Sequence, residues 1–161
     1  MILLMKKNDF FKLIASILLP LTIGAIAGIF TSKAIPAWYD SLNRPSFNPP
    51  NWLFGPVWTA LYIIMGISFF LIWKQDKSKE RNLAIFVFLL QLMLNFFWSF
   101  IFFYFNRIGL ALVEIILLWL SIIVMLKQFY KIKPMASYIN IPYLLWVSFA
   151  SMLNLSYYLL N

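Results

Sequence analysis

Residues 82–105 read NLAIFVFLLQLMLNFFWSFIFFYF, a stretch without one charged side chain. It is bounded by the wholly polar Lys74-Gln75-Asp76-Lys77-Ser78-Lys79-Glu80-Arg81 before it and by Asn106-Arg107 after it. A helix needs about 20 mainly apolar residues to cross the hydrocarbon of a bilayer, and this run has that length. Working outward, four more stretches qualify: 10–32, 55–73, 108–127 and 136–160. Between them, Asn106-Arg107-Ile108-Gly109 predicts a tight turn, and Lys131-Ile132-Lys133-Pro134 a basic connection with a proline placed to start the last helix. One connection is long, from Thr31 to about Phe54, and it holds Trp38, Trp52 and several prolines. A connection of that length is usually functional or disordered; its aromatic and proline content predicts an ordered lid. The fold expected is an all-α membrane protein: a single domain over 1–161, a five-transmembrane-helix bundle with a long ordered loop between helices 1 and 2.

The composition agrees. Of 161 residues, 63% are hydrophobic and only 11% charged, against about 45–50% and about 25% in soluble domains. The mean hydropathy is +0.86, more apolar surface than a globule of this size hides from water. The chain has no Cys and no His. That excludes a disulfide frame, a Cys/His zinc site, a thiol nucleophile, a Ser-His triad and the usual strong axial ligands of haem, and no metal site is expected.

The formal charge of +8 is best read by location. Five spans place the N-terminus, the second connection and the fourth on one side. That side carries Lys6, Lys7, Lys12, Lys74, Lys77, Lys79, Arg81, Lys127, Lys131 and Lys133, and the other only Lys33, Arg44 and Arg107. The positive-inside rule then predicts a cytoplasmic N-terminus, with the long loop and C-terminus outside. The charge serves topology and attraction to anionic lipid rather than nucleic acid. Ala25-Ile26-Ala27 mimics a signal-peptidase site, but the apolar run continues through Phe30, long for a signal peptide, so the first span is expected to stay. Its Gly24-x-x-x-Gly28 suits packing on another span, and Pro20 predicts a kink, as does Pro142 near the start of the fifth span.

Polar residues in a span usually face the bundle interior. Gln91, Asn95, Trp98 and Phe102 recur at helical spacing on the third span; Tyr143, Trp146, Ala150, Asn154, Tyr157 and Asn161 do so on the fifth. Trp58, Tyr62 and Met65 form a stripe on the second. Three aromatic stripes, two bearing carboxamides, would line a site for a flat, largely apolar ligand. The same residues also serve as interfacial belt and interhelical glue. Glu114 is the one acidic residue inside a span, two turns into the fourth helix. Two roles stand open for it: handling a proton or cation, or snorkelling to pair with Arg107 or Arg44.

The run Trp38-Tyr39-x-x-Leu42-x-Arg44-Pro45-x-Phe47-x-Pro49-Pro50-x-Trp52-x-Phe54-Gly55-Pro56-Val57-Trp58-Thr59-x-Leu61-Tyr62-x-x-Met65-Gly66 resembles the signature of the TspO/translocator protein family, also called tryptophan-rich sensory proteins or peripheral-type benzodiazepine receptors. Gln91-x-x-Leu94-Asn95-x-x-Trp98-Ser99-x-x-Phe102-Phe103 is similar to its third span, and Pro142-Tyr143-x-x-Trp146-x-x-Phe149-Ala150-x-x-Leu153-Asn154 to its fifth. The resemblance implies a five-helix bundle, often a homodimer, with a pocket open toward the first loop; the Lys, Ile and Asn bias of the chain fits a bacterial inner membrane. It implies porphyrin binding, protoporphyrin IX or haem as ligand with no cofactor required, and roles in tetrapyrrole regulation or transport. Carried over by motif, the ligand site comprises Tyr39, Pro49, Pro50, Trp58, Asn95, Trp98, Trp146, Ala150, Leu153 and Asn154. Asn95 and Asn154 would bond polar edges of the ring, and Arg44 would meet a propionate at the mouth. The chain departs from the family at its end: Tyr157-Tyr158-Leu159-Leu160-Asn161 lacks the basic residue that completes a cholesterol-consensus pattern in many members.

The leading expectation is therefore a membrane receptor or carrier for tetrapyrroles. The alternative is a light-dependent porphyrin-degrading enzyme in which Trp58 and Trp146 relay electrons. A third is transport coupled to a proton on Glu114. Partners expected are a flat apolar small molecule, membrane lipid and a second copy of the chain, with no nucleic acid.

Overall fold

The computed structural model describes residues 7–161; Lys6 lies outside the described residues. The chain runs α1 (Lys7–Ala37), a 3₁₀ turn at Tyr39–Ser41, α2 (Asn51–Trp73), α3 (Lys79–Ser99) continuing into a π-helical turn (Phe100–Tyr104), α4 (Ile108–Ile132), a short α5 (Pro134–Tyr138) and α6 (Ile141–Leu160). Among the described residues, five segments are long and apolar enough to cross a membrane: Lys7–Pro36, Asn51–Trp73, Lys79–Tyr104, Ile108–Ile132 and Pro134–Leu160. The all-helical five-span fold expected from the sequence is what the chain adopts.

The boundaries differ in instructive ways. α1 persists to Ala37 and α2 already begins at Asn51, so the long connection shrinks from both ends to residues 38–50. Helix continues through Pro20 and Pro36. Pro142 lies in the first turn of α6, where its missing N–H has no ladder bond to break, so the kink expected there does not arise. Pro134 starts α5 rather than the long last helix, and the step from α5 to α6 is tied to α2. Ser68 Oγ donates to Ala136 O at 2.7 Å, and Asn140 Nδ2 donates to Ala136 O at 2.9 Å and also to Ser68 Oγ.

Local chemistry sets the other ends. Ser78 caps α3, its hydroxyl accepting from Arg81 N. Arg81 is buried, and its Nε and Nη2 donate to Trp73 O at 3.2 and 2.8 Å. One of the basic residues counted for topology thus caps the end of α2, where the last carbonyls lack helical partners and the dipole favours a cation. The π-turn closes with Phe105 N donating to Phe100 O at 2.9 Å, and Asn106, at φ 56°, ends it in the left-handed region that Asn tolerates.

The core falls into two parts. Toward the basic end, Phe69, Phe88 and Phe129 of α2, α3 and α4 stack in series, at 4.3 and 6.2 Å between centroids, inside a large apolar cluster. Toward the loop end, Tyr39, Phe102, Ala111, Leu153 and Tyr157 form a smaller one. Lipid tails are as apolar as these side chains, so packing and interhelical hydrogen bonds, more than hydrophobicity, hold the helices together.

Candidate ligand-binding site

Glycines set how α1 meets α2. A Cβ on Gly66 would lie 2.5 Å from Ile17 Cα, and one on Gly24 would lie 2.0 Å from Cε2 of the Tyr62 ring. The small-residue face of α1 does therefore pack on a neighbouring span, but only through Gly24. At Gly28 a Cβ would meet nothing within 4 Å, because there α1 borders a cavity.

That cavity has a volume of about 700 Å³, within the roughly 300–1,000 Å³ of small-molecule sites. It lies between α1, α2, α3 and α6, beneath Tyr39 of the loop. Four tryptophans line it: Trp52 lies exposed at its edge, and the other three are each braced by another ring. Trp58 stacks on Tyr62 at 5.5 Å, Trp98 on Phe102 at 5.3 Å, and Trp146 lies 5.6 Å from Phe149. The π-turn supplies Phe102 and Phe103. Two polar atoms of lining residues are buried without a hydrogen-bond partner: the donor Trp146 Nε1 and the acceptor Asn51 Oδ1. A buried polar group left unpaired costs about 1–3 kcal/mol, so both atoms favour a ligand that can answer them.

Of the residues named from the sequence, Tyr39, Trp58, Trp98, Trp146, Ala150, Leu153 and Asn154 line this cavity, and Pro49, Pro50 and Asn95 do not. Asn95 is already engaged. Tyr62 Oη donates to its Oδ1 at 2.8 Å, and its Nδ2 donates to Tyr143 Oη at 3.2 Å. Tyr143 Oη in turn donates to Gln91 Oε1 at 2.8 Å. The carboxamides of α3 thus build a buried polar chain joining α2, α3 and α6. Asn154 lines the cavity with both ends of its amide occupied, accepting from Trp98 Nε1 and donating to Ile108 O, each at 3.1 Å. Arg44 does not line the cavity; it pairs with Asp40 and lies 5.5 Å from the Tyr39 ring centroid.

The loop is an ordered lid fastened to the end of α6. Tyr39 and Tyr157 both donate to Asn48 Oδ1, at 2.8 and 3.0 Å. Asn43 N donates to Asn161 Oδ1 at 2.9 Å, and Asn161 Nδ2 donates back to Asn43 O at 3.2 Å. Burial, and then its neighbour Tyr157, pushes the Tyr39 phenol above its ordinary range, which keeps it a hydrogen-bond donor.

Glu114 neither snorkels nor pairs with Arg107 or Arg44. It is buried, and both carboxylate oxygens lack partners. Sequence reasoning missed the α1 wall, Ala27 and Thr31 among it, and the cavity-lining Asn51. The glycine pair of α1 was the available signal, and it was read as a packing face alone.

Five membrane-crossing helices around an aromatic-lined cavity, closed by a tryptophan- and proline-bearing loop, define a multi-pass helical membrane protein with an internal site. The TspO/MBR family model matches residues 16–159, and the chain belongs to that family. It is 41% identical over 150 residues to the Tryptophan-rich protein TspO of Archaeoglobus fulgidus, covering 93% of this chain and 97% of that one. It is 34% identical over 139 residues to the Translocator protein of Bos taurus, covering 85% and 82%. With the Tryptophan-rich sensory protein of Cereibacter sphaeroides it shares 32% over 124 residues, 77% of each chain.

Proposed function

We propose that the cavity binds a tetrapyrrole, protoporphyrin IX or haem, and that the protein acts as a membrane receptor or carrier in tetrapyrrole regulation or transport. The observation that carries this reading is the cavity itself: about 700 Å³, with Trp58, Trp98 and Trp146 in its walls and one donor and one acceptor left unpaired. Flat aromatic ligands stack on such rings, and a few placed polar atoms orient them. The polar recognition assigned to Asn95 and Asn154 passes to Trp146 Nε1 and Asn51 Oδ1, since both asparagine amides already serve the bundle. Without His or Cys, the ring is held by its faces and edges, and the metal-free porphyrin should bind about as well as haem.

Tryptophan-fluorescence quenching by protoporphyrin IX tests this. Saturable quenching at micromolar ligand, weakened in Trp146→Phe, is the expected result; no saturable quenching in the wild-type protein would sink it. The same reading includes a homodimer in the inner membrane with the N-terminus in the cytoplasm, checked by cross-linking in membranes and by a reporter fused to each terminus.

The stacking of Trp58 on Tyr62, whose hydroxyl is bonded to Asn95, favours a second reading, a light-driven porphyrin breakdown with these rings as electron relays. Porphyrin absorbance followed in light and in darkness, with and without protein, decides it. Bleaching no faster and to the same products as for free porphyrin in detergent removes the enzymatic reading.

A further inference from the structure

We propose that the cavity takes its ligand sideways out of the bilayer, through a window between α1 and α2 framed by Gly28 and Gly55, so that the ligand is a molecule dissolved in the membrane; this rests on the cavity being a ligand site and not on which ligand fills it. The distribution of exposure leads to it. Among the described lining residues, those exposed at the surface are Ala25, Gly28 and Ser32 of α1 and Trp52, Gly55 and Thr59 of α2. The lining contributed by α3, α6 and Tyr39 is buried or half-buried. The cavity is thus walled on three sides and open on the fourth, along the seam of two helices that are themselves membrane spans.

The seam opens for a geometric reason. At Gly66 and Gly24 the helices touch so closely that a methyl group would collide with Ile17 or Tyr62. One turn beyond Gly24 on α1 lies Gly28, and two turns from Tyr62 on α2 lies Gly55, each on the same face as the contact it follows. At neither would an added Cβ find an atom within 4 Å. The helices cross in contact and then splay, leaving a V with Gly28 and Gly55 at its sides and Ala25, Ser32, Trp52 and Thr59 exposed along it. By the helical rise, Gly28 lies about 13 Å from the end of α1 at Ala37, and Gly55 about 6 Å from the start of α2 at Asn51. The window therefore falls in the loop-side half of the membrane.

The frame suits lipid. Thr59 Oγ1 donates to Gly55 O at 2.9 Å, Thr31 Oγ1 to Ala27 O at 3.1 Å and Ser32 Oγ to Ile29 O at 3.0 Å. Each of these hydroxyls is spent on its own helix, so passage through the frame strands none of them in hydrocarbon. The aqueous end is the opposite case. There the loop is fastened to α6 through Asn48 and through the Asn43–Asn161 pair, so entry from water must break hydrogen bonds that lateral entry leaves intact.

The test uses the full chain in lipid nanodiscs, comparing wild type with Gly28→Leu, Gly55→Leu and the double variant. Open space at both sites predicts that the variants fold, which a thermal melt verifies. With protoporphyrin IX as probe, stopped-flow tryptophan quenching should show the wild-type association rate following the porphyrin-to-lipid ratio. That rate should fall tenfold or more in the double variant. Loosening the lid with Asn43→Ala should leave it within twofold. An unchanged rate in the folded double variant overturns the window, as does a tenfold acceleration from Asn43→Ala.

A second arm needs no ligand. In nanodiscs of lipid brominated along the acyl chain, bromine quenches the tryptophans that lipid reaches, and closing the window should reduce that quenching. If protoporphyrin IX fails to quench the wild-type protein at all, the tetrapyrrole reading falls. The bromolipid comparison then still decides the window, and equal quenching in wild type and double variant overturns it.

Discussion

The two ends of the α1–α2 pair are built from the same residue type to opposite effect. Toward the basic end, Gly66 and Gly24 let backbone and ring approach closer than any side chain would allow, and the space behind them is filled by stacked phenylalanines and the Tyr62–Asn95–Tyr143–Gln91 chain. Toward the loop end, Gly28 and Gly55 face nothing, and the space behind them is the cavity. A glycine in a span can thus permit contact or preserve emptiness. The first end is a structural clamp, the second an open cavity.

The sharpest way to break this comparison is to fill the clamp. Gly66→Leu puts a side chain where Ile17 Cα and Ser16 O stand, and backbone cannot step aside without opening the helix pair. A loss on the order of 3 kcal/mol is expected, read as failure to accumulate or as a sharply lowered melting temperature in detergent. Next is the polar chain. Asn95→Leu strands the hydroxyl of Tyr62 and takes away the amide donor to Tyr143, whose own bond to Gln91 remains; a loss of about 1–2 kcal/mol is expected, the upper range for hydrogen bonds between membrane helices. If the melt is unchanged, the chain is not part of the clamp.

At the open end the signs reverse. Trp146→Phe removes a donor with no protein partner, so stability should hold while porphyrin affinity drops about fivefold, the worth of one hydrogen bond of about 1 kcal/mol. A binding titration beside a thermal melt separates the two effects. Smallest of all is Gly28→Ala: a methyl added to open space should leave the melt unchanged or raise stability by less than about 1 kcal/mol. A clear destabilisation there would mean that both ends of the pair are clamps after all.

Much of this was legible in the order of residues. The apolar runs separated by the Thr31–Phe54 loop, Lys74–Arg81, Asn106–Arg107 and Lys131–Lys133 specify five spans, because in lipid a backbone must satisfy its own hydrogen bonds and helix is the local way to do so. Periodicity put Gln91, Asn95 and Trp98, and Tyr143, Trp146 and Asn154, on inward faces, and all of them are buried or half-buried. Periodicity names a face and not what the face meets. Asn95 and Asn154 were expected to turn toward a ligand. Which hydroxyl or carbonyl lies opposite depends on how far two helices slide along each other, and here Tyr62, Tyr143 and Ile108 arrived first. Arg44 is taken by a local partner instead, Asp40 four residues back in the same loop. Glu114 is buried where the chain alone left two roles open.

The sequence by itself determined the number of membrane spans, the apolar stretches that form them and the family, because these depend on runs and spacings along one chain. Only the tertiary structure decided which polar groups are spent on the bundle and which are left for a ligand, and which glycines touch and which gape. Those depend on the register and splay between helices, and the same glycine reads identically in the sequence whether a ring or a void lies against it.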